Sequence, residues 1–288
     1  MAEKLQTISE ISSHISGMLK HLWSSAEADA LASAIIMEYT GMSRAAQMAF
    51  GDRKPEQGAR ERILAAATRA SVGEPLQYIT GYTEFCGHRI GVEPGVLIPR
   101  PETEEMTAMI IGENRGFNGT VTDLCTGSGC IAIALSMAFP GATVVATDFS
   151  PAALKVAAGN IAATGASVTL AESDIFSDDQ SVVPLSGIIV SNPPYVTESE
   201  KMAMHANVLE HEPHEALFVP DNDPLIYYRR IADIASVRLA AGGTLWLEVN
   251  ENLASETTRL FTAGTYRQVR IIRDIRGKQR FIKAEKDG

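Results

Sequence analysis

Hydrophobic and polar positions follow a helical period through the first quarter of the chain. Ile8, Ile11, Ile15, Met18 and Leu19 recur at the spacing of one helix face. A second run covers 26–39 and stops at Gly41. A third covers 55–70, with Pro55 at its start and Gly73 beyond its end. No strand-like alternation occurs before about residue 75. Between 81 and 99 the pattern shortens. Phe85, then Arg89 with Ile90, then Val96, Leu97 and Ile98 are separated by Gly87, Gly91 and Gly95, which predicts a hairpin.

From 101 onward, strand and helix patterns alternate. Strands are predicted at 120–124, 143–147, 167–170, 187–191, 243–249, 266–272 and 279–283. Helices are predicted at 102–111, 130–138, 151–164, 225–240 and 251–261. Such alternation means an α/β fold whose mostly parallel sheet is covered on both faces. The connection over 273–278 is too short for a parallel crossover, so the last two strands should be antiparallel. The expected organisation is a helical domain at 1–75, a hairpin linker at 76–100 and an α/β domain at 101–288.

Composition narrows the function more than the fold. The 288 residues carry 25 basic and 35 acidic side chains, a net of −10. The first 80 residues hold 8 basic and 9 acidic ones, so nearly all the excess lies in the α/β part. Broad electrostatic binding to nucleic acid is disfavoured, because that needs a basic surface. Cys86, Cys125 and Cys130 are odd in number and form no Cys-x-x-Cys pair, which argues for reduced cytoplasmic thiols and against zinc. The opening residues lack a signal-peptide pattern, and no apolar run is long enough to cross a membrane. His205, His211 and His214, near Glu210 and Glu212, fit no zinc spacing and read as a solvated helix or loop. Cys86, Trp23 and Trp246 read as buried residues, and Lys278 and Arg280 as exposed strand cations.

Candidate chemistry gathers where predicted strands end. The first strand runs into Asp123-Leu124-Cys125-Thr126-Gly127-Ser128-Gly129, a turn that lets backbone approach a ligand. It lacks the Gly-Lys-Ser/Thr of a phosphate-gripping loop, and position 132 is Ala where most dinucleotide sites have a third glycine. The next strand ends at Asp148, which can accept hydrogen bonds from both hydroxyls of a ribose. The third is trailed by Asp174, Ile175 and Phe176, suited to an adenine amino group and its ring. Each Asp alone is as well explained by a turn or helix cap. Together the three strand ends favour an adenosine ligand.

The fourth strand runs into Asn192-Pro193-Pro194-Tyr195. Two prolines fix φ and remove two N–H donors. The loop therefore offers carbonyl acceptors in a stiff frame beside the Asn192 side chain. Such acceptors suit a planar NH₂ group, and Tyr195 offers a stacking face.

With these residues the sequence resembles the Rossmann-like S-adenosylmethionine-dependent methyltransferases that modify planar nitrogens. Segments 75–81, 96–104, 212–217 and 274–280 are similar to the peptide chain release factor glutamine N5-methyltransferases, whose likeness covers about residues 70–285. The resemblance implies a class I methyltransferase fold with a seven-stranded, mostly parallel sheet and an antiparallel last strand, plus an N-terminal helical domain and a hairpin linker. It implies S-adenosyl-L-methionine as methyl donor and the glutamine of a release factor Gly-Gly-Gln loop as acceptor. Carried onto this chain, Cys125, Thr126, Gly127, Ser128, Gly129, Asp148, Asp174, Ile175 and Asn192 bind the donor. Asn192, Pro193, Pro194 and Tyr195 hold the glutamine amide. Segment 99–103 passes near both, and Cys125 stands where many methyltransferases have Gly. A monomer with no direct nucleic-acid or membrane partner is expected. Alternatives are an adenine-N6 methyltransferase, a non-catalytic release-factor adaptor and a dinucleotide-dependent oxidoreductase.

Overall fold

The computed structural model describes residues 5–261 and 265–288. These residues form two compact units, one running up to Gly81 and taking in His205–His211, the other comprising Tyr82–Met204 and Glu212–Gly288.

The first unit is helical. It contains α1 (Ile8–Leu19), α2 (Ser25–Thr40), α3 (Arg44–Ala49), α4 (Gln57–Ala70), α5 (Leu76–Thr80) and, from the later segment, α9 (Ala206–His211). Thr7 and Glu10 form a capping box at the start of α1, and Ser24 and Glu27 do so for α2. Gly41 closes α2 in the left-handed conformation with φ 69°. Ile8, Ile11, Ile15 and Leu19 are buried and meet Ile35, Ile36 and Ile63 in one core. Trp23 only borders that core. It is half-buried, correcting the expected core position, because it lies past the end of α1 and its ring stacks on His205 at 4.3 Å. His211 is likewise half-buried rather than solvated.

The second unit opens with a hairpin of β1 (Tyr82–Phe85) and β2 (His88–Gly91). Its two-residue turn places Cys86 at φ 50° and Gly87 at φ 77°, the positive pair a tight hairpin demands. That turn leaves Cys86 half-buried, short of the expected burial. Residues 96–98, expected in the hairpin, form a loop instead. Then follow α6 (Pro101–Glu113), β3 (Thr120–Leu124), α7 (Cys130–Ala138), β4 (Thr143–Asp148), α8 (Pro151–Thr164), β5 (Val168–Glu172) and β6 (Ser186–Ser191). Two short strands, β7 (Val196–Thr197) and β8 (Phe218–Val219), pair in parallel. The chain ends with α10 (Ile226–Arg238), β9 (Leu239–Glu248), α11 (Ala254–Arg259), β10 (Tyr266–Arg273) and β11 (Gln279–Lys286).

Seven strands form one sheet in the order β10-β11-β9-β6-β3-β4-β5. The pairs from β9 through β5 are parallel, and β11 runs antiparallel to both β9 and β10. The short connection between the last two strands thus acts as its length predicted. The helix expected over 225–240 stops at Arg238, because Leu239 takes extended backbone and starts β9. The helix expected over 251–261 is shorter, and β7, β8, α3 and α5 have no counterpart among the predicted elements.

Alternation along the central strands builds a core on each face. Ile188, Val190 and Trp246 pack with α6 and α7 residues such as Met106, Ile110 and Ile131. Ile189, Leu245 and Leu247 pack with Tyr228, Ile231 and Ile234 of α10 on the other face. Each such large side chain contributes roughly 1.5–3 kcal/mol by its burial. No helix among the described residues is long and apolar enough to cross a membrane.

Candidate active site

Sheet register decides which residues meet. Leu124 of β3 lies opposite Thr147 of β4 and Ser191 of β6, and Ser191 lies opposite Leu247 of β9. The next residue on each strand therefore stands on one crest: Asp148, Cys125, Asn192 and Glu248. The chain leaves β3 toward β4 and β5, then returns to β3's other side with β6. That reversal opens a crevice at the carboxyl ends of the strands, where α/β sheets take ligands. A cavity of about 280 Å³ occupies this place.

At the β3–β4 end the wall is mostly backbone. Cys125 has φ 59°, Gly127 54° and Gly129 80°, so the chain turns tightly before α7. A Cβ on Gly129 would lie 3.2 Å from the Ala157 Cβ, so a side chain there would push α8 away. The Thr126 N–H donates to the Thr147 carbonyl at 2.9 Å, and the Thr126 hydroxyl donates to Asp123 Oδ2 at 2.5 Å. Burial pushes the Asp123 carboxyl up to about 7, against the lowering hydrogen bond from Thr126.

Asp148 is buried and accepts the Gly127 N–H at 2.8 Å and the Ser150 N–H at 3.0 Å. Its carboxylate acts as a turn cap, and each oxygen keeps a further acceptor site. Desolvation raises its pKa, with the backbone N–H groups pulling the other way. The buried Asn160 of α8 clamps the loop from beneath. Its Nδ2 donates to the Ser128 carbonyl at 2.9 Å and the Gly91 carbonyl at 3.0 Å, while its Oδ1 accepts the Gly91 N–H at 2.7 Å.

An apolar side of the cavity is made by Ile175, Phe149 and Tyr227. Phe176 meets the Tyr227 ring edge-on at 4.9 Å. Asp174 is exposed, and its Oδ1 accepts the Phe176 N–H at 2.9 Å. Arg230 holds this loop by donating to the Ile175 carbonyl at 2.7 Å. Burial pushes the Tyr227 hydroxyl up to about 12 and raises the Cys125 and Cys130 thiols, which keeps all three neutral.

At the β6–β9 end the wall rests on side chains. Asn192 Nδ2 donates to Thr103 Oγ1 at 3.0 Å. Thr103, in the first turn of α6, donates to Glu248 Oε2 at 2.6 Å. The Tyr195 hydroxyl donates to Glu248 Oε1 at 2.9 Å, and Asn250 Nδ2 donates to the Tyr195 carbonyl at 3.2 Å. Among the described residues, nothing donates to the carbonyls of Pro193 or Pro194. The loop before α6 is pinned by the buried Glu212, whose carboxylate takes Arg100 Nη2 at 2.7 Å and the Ile98 N–H at 3.1 Å. Arg280, expected as an exposed cation, has a side chain only 14% exposed because it packs between Asp274 and the Val249 carbonyl. Lys278 pairs with Glu251.

Of the residues singled out from sequence, Cys125, Thr126, Gly127, Ser128, Asp148, Asp174, Ile175, Asn192 and Pro194 line the cavity. Gly129 caps α7 beneath it, and Pro193 and Tyr195 stand behind the lining. Pro99, Arg100 and Thr103 of the flagged segment line it too. Sequence reasoning missed Glu248, Tyr227, Phe149 and Asn160. Glu248 carried one signal: a carboxylate at the carboxyl end of a strand whose last four residues, Leu245–Glu248, are buried.

Known proteins resemble this arrangement. Residues 105–218 match the family model of the methyltransferase small domain, and residues 11–81 that of the PrmC N-terminal domain. The release factor glutamine methyltransferase of Bacteroides thetaiotaomicron is 49% identical over 218 residues, covering 76% of this chain and 78% of its own. That of Flavobacterium psychrophilum is 43% identical over 214 residues, covering 73% and 75%. Among solved structures, a methyltransferase from Pyrococcus furiosus gives a TM-score of 0.52 at 18% identity, covering 80% of this chain and 99% of its own, a likeness of fold alone.

Proposed function

The chain belongs to the release factor glutamine methyltransferase family, and on that premise we propose that it methylates the side-chain amide nitrogen of the Gly-Gly-Gln glutamine in peptide chain release factors. The observation that carries this reading is one crevice holding both a carboxylate-braced loop and a proline loop whose carbonyls have no donor among the described residues. S-adenosyl-L-methionine, when bound, would supply a methyl group made electrophilic by a positively charged sulfur.

The residues fit that donor. Ile175, Phe149 and Tyr227 offer an apolar slot for adenine. The free acceptor sites of Asp148 suit a ribose diol, with Asp174 at the slot's edge. The tight turn over Thr126, Gly127, Ser128 and Gly129 lets the backbone come close.

The Oδ1 of Asn192, which lines the cavity, would accept one hydrogen of the glutamine amide, and an unpaired carbonyl of the Pro193–Pro194 pair would accept the other. Holding both turns the nitrogen lone pair out of conjugation and along the transfer line. Alignment of this kind can lower a barrier by ~7–11 kcal/mol. As the N–C bond forms and the methyl–sulfur bond breaks, the amide nitrogen's proton would become acidic and leave to solvent, so no strong base is required. Tyr195 and Pro194 stiffen the frame. We read the enzyme as a cytoplasmic monomer.

The test offers the protein a labelled donor with three acceptors: a release factor, the same factor with its Gly-Gly-Gln glutamine replaced, and an adenine-containing oligonucleotide. Label on the first alone is the expected result. Label on the oligonucleotide would move the target to a base, and label on the glutamine-replaced factor would move it to another amide.

A further inference from the structure

Glu248 and Thr103 touch neither the strand-end loops at the β3–β4 crest nor, in the proposed reaction, the glutamine. They nonetheless form a hydrogen-bond relay with a fixed polarity. Glu248 is 1% exposed at the carboxyl end of β9. Its two oxygens take one hydroxyl each, from Thr103 at 2.6 Å and from Tyr195 at 2.9 Å. A carboxylate can only accept; burial raises the Glu248 pKa, and the hydroxyls of Thr103 and Tyr195, with Arg280 nearby, oppose that rise by favouring the charged form. Thr103 has one hydroxyl proton, and it is committed to Glu248. Toward Asn192, 3.0 Å away, Thr103 can therefore only accept. The partner must be the Asn192 NH₂ group, which turns Oδ1 the other way. Among the described residues that Oδ1 has no hydrogen-bond partner, and Asn192 lines the cavity.

We propose that Glu248 and Thr103 are positioning residues that set the flip of the Asn192 amide, so that its oxygen rather than its nitrogen faces the substrate NH₂. The inference rests on the reading of Asn192 as the amide acceptor and deepens it. An Asn with the opposite flip would present two donors to a group that also donates. The relay makes that orientation costly, since it would set Asn192 Oδ1 against the accepting Thr103 oxygen, or draw the Thr103 proton away and leave a buried Glu248 oxygen without its donor. Glu248 serves both sides of the loop, because the same carboxylate fixes the Tyr195 hydroxyl.

The test is a double-mutant cycle on methyl transfer to release factor. Thr103→Val keeps shape but removes the acceptor. It should lower kcat by about 10- to 100-fold with donor affinity within about twofold, and Thr103→Ser should restore most of the rate. Glu248→Gln introduces a donor that forces one hydroxyl to reverse, and should lower kcat as well. In an Asn192→Ala background, Thr103→Val should cost nothing further, because the amide it orients is gone. A Thr103→Val enzyme with wild-type kcat would overturn the proposal. So would a loss that adds fully to that of Asn192→Ala, which would mark Thr103 as mere packing. A wild-type protein that binds donor but methylates no release factor would instead overturn the function on which the relay rests.

Discussion

At the β3–β4 crest the cavity wall is made by backbone that the sequence forces into tight turns, with carboxylates bonded to neighbouring N–H groups. At the β6–β9 crest it is made by a proline-stiffened loop whose Asn192 side chain is steered by residues from two distant elements. Donor binding needs shape and a few acceptors, which local sequence can encode. Orienting a planar amide needs a sense of direction, which comes from a buried charge reached across the sheet. Mutations at the two crests should therefore fail differently, one in affinity and the other in rate.

The largest contrast should come from Asn192→Ala. Loss of the amide acceptor should lower kcat by about a hundredfold or more while calorimetry finds donor affinity little changed. A parallel fall in affinity would mean the crests are not separable. Asp148→Ala should show the reverse, weakening the donor by about tenfold or more because a buried charged acceptor is lost. Wild-type affinity in that variant would remove the ribose role.

Asn160→Ala bears on how firmly the donor loop is held. It strips partners from Ser128 and from both polar groups of Gly91. Thermal and denaturant unfolding should report a loss of roughly 1–3 kcal/mol, the usual cost of leaving buried groups unpaired. A smaller change would mean that the loop holds itself.

Burial raises the Asp123 carboxyl from 3.8 to about 7. Unfolded chains lose that proton near 3.8, whereas the folded form keeps it until about 7. Stability from this group is thus fully present below 3.8 and falls as pH rises toward 7. Asp123→Asn should make the stability difference between about pH 5 and about pH 8 smaller, read by melting at both. An unchanged difference would refute the raised value.

The mildest effect should be at Cys125, whose φ of 59° lies in the left-handed region. Cys125→Gly relieves about 1–2 kcal/mol of strain and costs about 0.5–1 kcal/mol of backbone entropy. Unfolding should show a net change within about 1 kcal/mol, with donor binding kept. A large loss of stability would mean that the thiol's packing against the core on the α10 face outweighs the backbone strain.

These differences also explain what could be read from sequence. The Gly127–Gly129 turn, Asp148 and the Asn192–Tyr195 loop each follow a predicted strand directly, so their place on the crest was legible once the alternation was seen. Glu248 and Thr103 were not legible as a pair. They lie 145 positions apart, and only the register of β9 against β6 brings them to Asn192. Residues 205–211 fold with the first unit from far along the chain, which no local pattern announces. The burial of Arg280 depends on the hairpin tip and Asp274. Periodicity reports what a strand or helix buries, whereas long-range hydrogen bonds depend on how elements are set side by side.

The central claim is tested most directly by mass spectrometry of a purified release factor incubated with the protein and S-adenosylmethionine. The account predicts a gain of one methyl, ~14 Da, mapped to the Gly-Gly-Gln glutamine and lost with Asn192→Ala. An unmodified glutamine, from a protein shown to bind the donor, would contradict it.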